Sequence, residues 1–237
     1  MQLWLCPLIA FLLGSVPFGL LIAKAKGIDI RQHGSGNIGA TNVLRVVGKK
    51  YGITCLFLDA LKGLIPTMLG LTLIRYTGAS EAMTIKPLLS QALELPSDLQ
   101  WKAQLFQVVT GLCAILGHNY SPWVGFKGGK GIATSAGVLI ALMPAAVVIL
   151  IVVWFILFKT TRYVSVASIG AAAFLPILTI GGSAYHGKLA NGNWNKPLFA
   201  FSVVIAVLAI WKHRANIHRL MKGTENRFQP KSKQTNA

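Results

Sequence analysis

Acidic residues are scarce: six aspartates and glutamates stand against 23 lysines and arginines in 237 residues, for a formal charge of +17. Only 12% of the chain is charged, where a soluble domain carries about 25%. With so few carboxylates, Asp29, Asp59 and Glu225 lie too far apart in sequence to announce a divalent-cation site, so neither a metal nor a cofactor is expected. Cysteine is equally sparse. Cys6, Cys55 and Cys113 each sit inside an apolar run, where a lone thiol behaves as a small hydrophobe, and this argues against a disulfide or a thiolate metal centre. No internal repeat, heptad array or low-complexity domain is present.

What the chain does have is apolar length. It is 54% hydrophobic with a mean hydropathy of +0.59, the composition of an integral membrane protein. The basic excess does not point to nucleic acid, because these residues flank apolar runs instead of decorating a soluble module. The opening "MQLWLCPLIAFLLG" has no Lys or Arg ahead of its apolar run and no small-residue cleavage site, so it reads as a retained first span.

Apolar segments fall at about 3–23, 51–74, 104–120, 131–158, 163–181 and 197–212, against the ~20 residues that cross a bilayer. The fourth is 28 residues long, with Pro144 inside it as a breaker. If the chain turns there, 17 basic residues collect on one side and five on the other, with Lys62 inside a span. A single crossing would instead place the basic tail opposite the basic first loop, which the positive-inside rule disfavours. The expected fold is therefore an all-α integral membrane protein of seven transmembrane helices, N-terminus outside and C-terminus cytoplasmic. Residues 1–228 are expected to form one membrane-embedded domain, with 229–237 a disordered tail.

Three polar segments share the cytoplasmic side of that topology. In "GSGNIGATN", Gly34, Gly36 and Gly39 free the backbone to point several N–H groups at one anion. Ser35, Thr41 and Asn42 add side-chain donors, and Arg45 adds a permanent guanidinium fork. "GFKGGKGIAT" fails as a nucleotide P-loop: Val124 stands where its first glycine should be and Gly131 follows Lys130 where Ser or Thr should. It still places glycines and two lysines at the start of an apolar helix, whose N-terminus attracts anions. "HRANIHRLMKG" puts His213 and Asn216 three apart on one helical face. Asp59 and Lys62 are also three apart, inside the second span, either as structural glue or as chemistry. Two anion-cradling loops and a basic helix suit either an enzyme joining a phosphate compound to a lipid or a transporter of a phosphorylated solute. Transporters are commonly built on internal repeats with a midplane site, and neither is visible here, so the enzyme is favoured.

Taken together, "GSVPFGLLIAK", "GSGNIGATNVLR", "GHNYSPWVGFKGGKGIAT", "RYVSVASI" and "HRANIHRLMKGTENRF" resemble the acyl-phosphate-dependent glycerol-3-phosphate acyltransferase family of bacteria, the PlsY family, from about residue 10 to 228. The departures are longer loops at about 78–103 and 182–196, outside the motifs. The resemblance implies a multi-pass enzyme of the bacterial inner membrane, with its active site on the cytoplasmic face. It would move a fatty acyl group from acyl phosphate to the 1-hydroxyl of glycerol 3-phosphate, giving lysophosphatidic acid and phosphate, without acyl-CoA or acyl carrier protein. Functional coupling to an enzyme that makes acyl phosphate follows from the same resemblance. None of the five histidines has Asp five residues on, the pattern of the other large acyltransferase group. Carried over by motif, Ser35 and Arg45 are essential, and Gly36, Asn37, Gly39 and Thr41 cradle the phosphoryl group. Gly128, Gly129 and Lys130 go with glycerol 3-phosphate. His213, Asn216 and Glu225 come from the third motif, and Ser168 helps line the site.

Overall fold

A computed structural model describes residues 2–228; the expected tail, 229–237, lies outside them. The chain runs through α1 (Gln2–Gly14), α2 (Phe18–Lys24), α3 (Ala40–Val46), α4 (Lys49–Leu73), α5 (Gln100–Asn119), α6 (Ile132–Leu142), α7 (Pro144–Thr161), α8 (Val164–Tyr185), α9 (Lys196–Lys212) and α10 (Arg214–Met221). By length and composition, four helical stretches among the described residues can cross a membrane: Leu3–Lys24, α4, α7 and α8. The pair α9 and α10, bent by 53°, is a fifth when counted as one broken span.

Of the seven expected crossings, α5 and α6 fall short of that measure. The first turns of α5 carry Gln100, Lys102, Gln104 and Gln107. Gln107 is structural, since its amide donates to the carbonyl of Ile74, where α4 ends, at 2.6 Å. Helix α6 has 11 residues, about 16 Å of rise. The expected break at Pro144 is present. Met143 leaves the helical region (φ −154°, ψ 68°) and Pro144 starts α7, where its fixed φ is preorganised and its missing N–H is not needed.

Two features depart from the sequence reading. The first apolar segment is interrupted at Ser15–Pro17, because Pro17 has no N–H to continue the ladder. At this break the Val16 carbonyl accepts from the Lys62 ammonium at 2.6 Å and from the Phe18 amide at 3.1 Å. The second is a small departure from an all-α fold. The loop after α4 forms a two-stranded parallel pair, β1 (Ile74–Tyr76) and β2 (Leu93–Leu95), with Ile74 opposite Leu93. Ile74 is fully buried beside Cys6 and Ala103, which pins this pair to the bundle.

Helices α1, α4, α5 and α6 form one packed group, and α7, α8 and α9 follow in sequence along its side. Helices α4 and α6 approach closely at glycines: a Cβ on Gly63 would strike the Thr134 carbonyl, and one on Gly137 the Ala60 carbonyl. Such small-residue contacts are how helices associate where no water drives them together. The principal core joins α1, α5, α6, α7, α8 and α9 through Ala10, Ile115, Val138, Val147, Leu175 and Ile205.

Candidate active site

The first polar loop sits on an apolar plug. Ile30, Ile38 and Val43 are buried with Ala23 and Cys55, which fixes the chain on either side of the glycine-rich turn. Asn42, itself buried, then ties the turn together. Its side-chain oxygen accepts from the Ser35 amide at 2.9 Å, and its NH2 donates to the carbonyls of His33 (3.0 Å), Asn37 (2.9 Å) and Ile30 (3.3 Å). Gly36 takes φ +70°, a left-handed turn that favours glycine. Asn42 thus spends its hydrogen bonds on the loop, while Ser35 and Thr41 line the space beneath it.

The second loop is laid against the end of α5. Ser121 donates to the Ser15 carbonyl at 2.6 Å and the Trp123 indole to the Ser15 hydroxyl at 2.8 Å, so this loop is fastened to the break between α1 and α2. The Gly129 amide donates to the His118 carbonyl at 3.1 Å. A Cβ on Gly129 would collide with the His118 imidazole, and one on Gly128 with the His118 carbonyl. The double glycine is therefore a packing requirement. It sets the direction of the next residue, Lys130.

At the third segment the backbone turns at His213 between α9 and α10. The His213 Nδ1–H donates to the Ala209 carbonyl at 2.8 Å, so the neutral ring presents Nε2 as an acceptor. Asn216 is held from both ends: its oxygen accepts from Lys130 Nζ, and its NH2 donates to Glu225 Oε1 at 2.6 Å. Glu225 also receives Ser165 Oγ at 2.9 Å and Arg219 Nε at 2.7 Å. Burial opposes ionisation of Glu225, but donors from Asn216, Arg219 and Ser165 prevail and hold its carboxyl below the usual range.

These three segments open onto one cavity of about 430 Å³. Ser35, Asn37, Gly39, Thr41, Asn42, Arg45, Lys130, Ser168, His213, Asn216 and Glu225 all line it. Gly36, Gly128 and Gly129 do not; they shape the backbone behind it. Much of the remaining wall is apolar, from α6 (Leu139), α7 (Val147, Leu150), α8 (Leu175) and α9 (Ile205). Arg45, Lys130 and Arg219 bring positive charge to the polar end, and Glu225 offsets one of the three. The other lining carboxylate, Asp59, is paired with Lys62 at 2.7 Å. The polar end is thus electropositive and rich in donors, and it continues into a hydrocarbon-lined space.

Sequence reasoning missed four participants. Arg219 continues the three-residue spacing of His213 and Asn216, and that spacing was the available signal. His118 and Ser165 lie within "GHNYSPWVGFKGGKGIAT" and "RYVSVASI" but carry no role in the sequence reading, and Trp154 reaches the cavity from an apolar helix without a motif.

The profile of the family described as glycerol-3-phosphate acyltransferase matches residues 4–223. The chain belongs to that family. Among glycerol-3-phosphate acyltransferases, it is 43% identical over 220 residues to that of Geotalea daltonii, covering 93% of this chain and 94% of the relative. With that of Aquifex aeolicus the identity is 40% over 221 residues, covering 92% and 95%. Two crystal structures of PlsY, an integral membrane glycerol 3-phosphate acyltransferase, match its fold. The glycerol 3-phosphate form gives a TM-score of 0.76 at 37% identity, over 97% of this chain and 96% of that one. The lysophosphatidic acid form gives 0.73 at 36% identity, with the same coverage. The protein is accordingly an integral membrane acyltransferase of lipid biosynthesis.

Proposed function

We propose that the protein transfers a fatty acyl group from acyl phosphate to the 1-hydroxyl of sn-glycerol 3-phosphate, releasing lysophosphatidic acid and inorganic phosphate. One observation carries this reading: a single cavity joins an electropositive, donor-rich end to an apolar groove. The polar end suits two phosphates, and the groove suits an alkyl chain. Burying that chain is worth about 0.8 kcal/mol per CH₂ relative to water, so the donor is drawn from the membrane without a soluble carrier. The relatives' glycerol 3-phosphate and lysophosphatidic acid forms supply the acceptor and product by analogy. The basic residues support a seven-crossing topology with the α9–α10 corner and both glycine loops at the cytoplasmic surface of the inner membrane, with α5 and α6 completed by burial and tilt.

Acyl phosphate is a mixed anhydride with a good leaving group, so positioning supplies much of the catalysis. The acceptor hydroxyl oxygen attacks the acyl carbonyl carbon, the bond to the phosphate oxygen breaks, and a substrate phosphate oxygen takes the hydroxyl proton. Arg45 and Lys130 hold the phosphates, while Ser35 and Thr41 donate from the first loop. Nε2 of His213 accepts from a glycerol hydroxyl, and Asn216 keeps Lys130 in place. Purified protein given palmitoyl phosphate and glycerol 3-phosphate should yield lysophosphatidic acid and phosphate in equal amounts. Palmitoyl-CoA in place of the acyl phosphate should yield none; equal rates with both donors would overturn the donor assignment.

Binding should depend on pH through Lys130. Burial pushes its amine down to about 8; Glu225 opposes this, while Arg219 and Arg45 add to it. A bound phosphate favours the ammonium, so the empty site must take up a proton to bind once the pH exceeds about 8. Affinity for glycerol 3-phosphate is therefore full below that value and falls above it, approaching ~10-fold per pH unit. Calorimetric titrations between about pH 7 and 10 should show this decline, and Lys130→Arg, which stays charged, should flatten it.

A further inference from the structure

Hydroxyls within the helices of this protein mostly turn back on their own backbone. Thr67, Thr110, Thr179 and Ser183 each donate to the carbonyl four residues earlier, at 2.7–3.0 Å. Ser168, in the first half of α8, makes no such bond among the described residues. Its oxygen instead accepts from the Trp154 indole N–H at 3.2 Å, across the α7–α8 interface. An indole N–H can only donate, so Ser168 is the acceptor and its own proton is left unspent. Ser168 is 3% exposed and lines the cavity. It stands one turn past Ser165, which binds Glu225, and one to two turns before Ala171, Ala172 and Leu175. Its hydroxyl therefore sits where the charged end of the cavity gives way to the apolar groove.

The indole is itself anchored. Trp154 stacks on Phe158 with centroids 5.1 Å apart, and Phe228 meets Phe158 edge-on at 5.6 Å. The Phe228 amide donates to the Arg162 carbonyl at 2.9 Å, so the segment after α10 straps this aromatic row onto the α7–α8 turn.

Resting on the acyl-transfer reading above, we propose that Trp154 is a positioning residue: it occupies the Ser168 oxygen so that the Ser168 proton points at the acyl carbonyl oxygen. The boundary location is where that carbonyl must lie, with phosphate on one side and alkyl chain on the other. A donor there gains strength as negative charge builds on the carbonyl oxygen, so its loss falls on kcat more than on KM.

The test is a double-mutant cycle in the palmitoyl phosphate assay, whose wild-type turnover tests the reaction itself before any variant is made. Trp154→Phe keeps a ring to stack on Phe158 and removes only the N–H and part of the bulk. Trp154→Phe and Ser168→Ala are each expected to lower kcat about tenfold with little change in the KM for glycerol 3-phosphate. The double variant should be no slower than Ser168→Ala alone, since Trp154 has nothing to orient once the hydroxyl is gone. Melting temperatures in detergent, measured alongside, should stay within a few degrees of wild type. Wild-type kcat in Trp154→Phe, or multiplying losses in the double variant, would overturn the proposal. So would a loss of activity that merely tracks the melting temperature.

Discussion

Replacing Lys130 with alanine should lower turnover by about 100- to 1,000-fold while leaving the protein folded. That is the scale seen when one preorganised donor is removed from developing negative charge, roughly 3–4 kcal/mol. Lys130 sits where two independent constraints meet. The Gly128–Gly129 turn against His118 fixes its backbone, and Asn216 fixes its ammonium. The cost of placing that cation is thus met on folding and need not be met again in the transition state. Stability should change little, because Asn216 keeps Glu225, and Glu225 keeps Arg219 and Ser165. Lys130→Arg should recover only part of the loss, since a planar fork replaces a compact ammonium in a space shaped by the glycine turn. The check is the initial rate of lysophosphatidic acid formation at saturating substrate, with melting temperature as the control. Turnover within about tenfold of wild type would remove Lys130 from the phosphate site.

How much of this was legible in the sequence depends on the kind of signal. The three polar segments stood out because each concentrates its chemistry within about a dozen residues: "GSGNIGATN" with Arg45, "GFKGGKG", and the His213–Asn216 pair. The expectation that they share one membrane face came from counting basic residues, since charge asymmetry is a property of the whole chain. The break at Pro144 was legible for a local reason, because proline acts on its own turn. Pairings between distant segments were not. Trp154 and Ser168 are 14 residues apart on different helices, Ser165 and Glu225 are 60 apart, and the Ser121–Ser15 bond spans 106. No periodicity encodes such contacts; packing makes them. The same holds for what a recognised residue does. Glycine in "KGGKG" reads as freedom to bind an anion, whereas Gly128 and Gly129 are there to leave room for His118. Asn42 reads as a donor to substrate, yet it builds the loop on which Ser35 stands.

The second large effect concerns the buried pair that the sequence left open between glue and chemistry. Asp59 and Lys62 are 2% and 6% exposed, and they meet at 2.7 Å. The Lys62 ammonium also donates to the Val16 carbonyl at the α1–α2 break, so the pair joins α4 to the point where the first span is interrupted. Asp59→Ala would leave an ammonium uncompensated inside the bundle, and breaking one half of a buried pair costs roughly 3–5 kcal/mol. The variant should melt far below wild type in detergent, or fail to accumulate at all. Removing both charges is a different experiment. Asp59→Ala with Lys62→Met leaves no buried charge from the pair, and the Val16 carbonyl, though it loses the ammonium, keeps the Phe18 amide as a donor, so the remaining cost stays below the roughly 1–3 kcal/mol of a fully unpaired buried group. The double variant should therefore be more stable than Asp59→Ala alone. Its activity per folded molecule then separates the two roles. Lys62 is directed at backbone, and Asp59, although on the cavity wall, spends its charge on Lys62 and lies near His118 at 3.6 Å. On the proposed mechanism the phosphates fall to Lys130 and Arg45, which line the same cavity. Turnover of the folded double variant should stay within about tenfold of wild type. A folded double variant with turnover as low as that of Lys130→Ala would place Asp59 in the chemistry, for then the loss could not come from an unpaired buried charge.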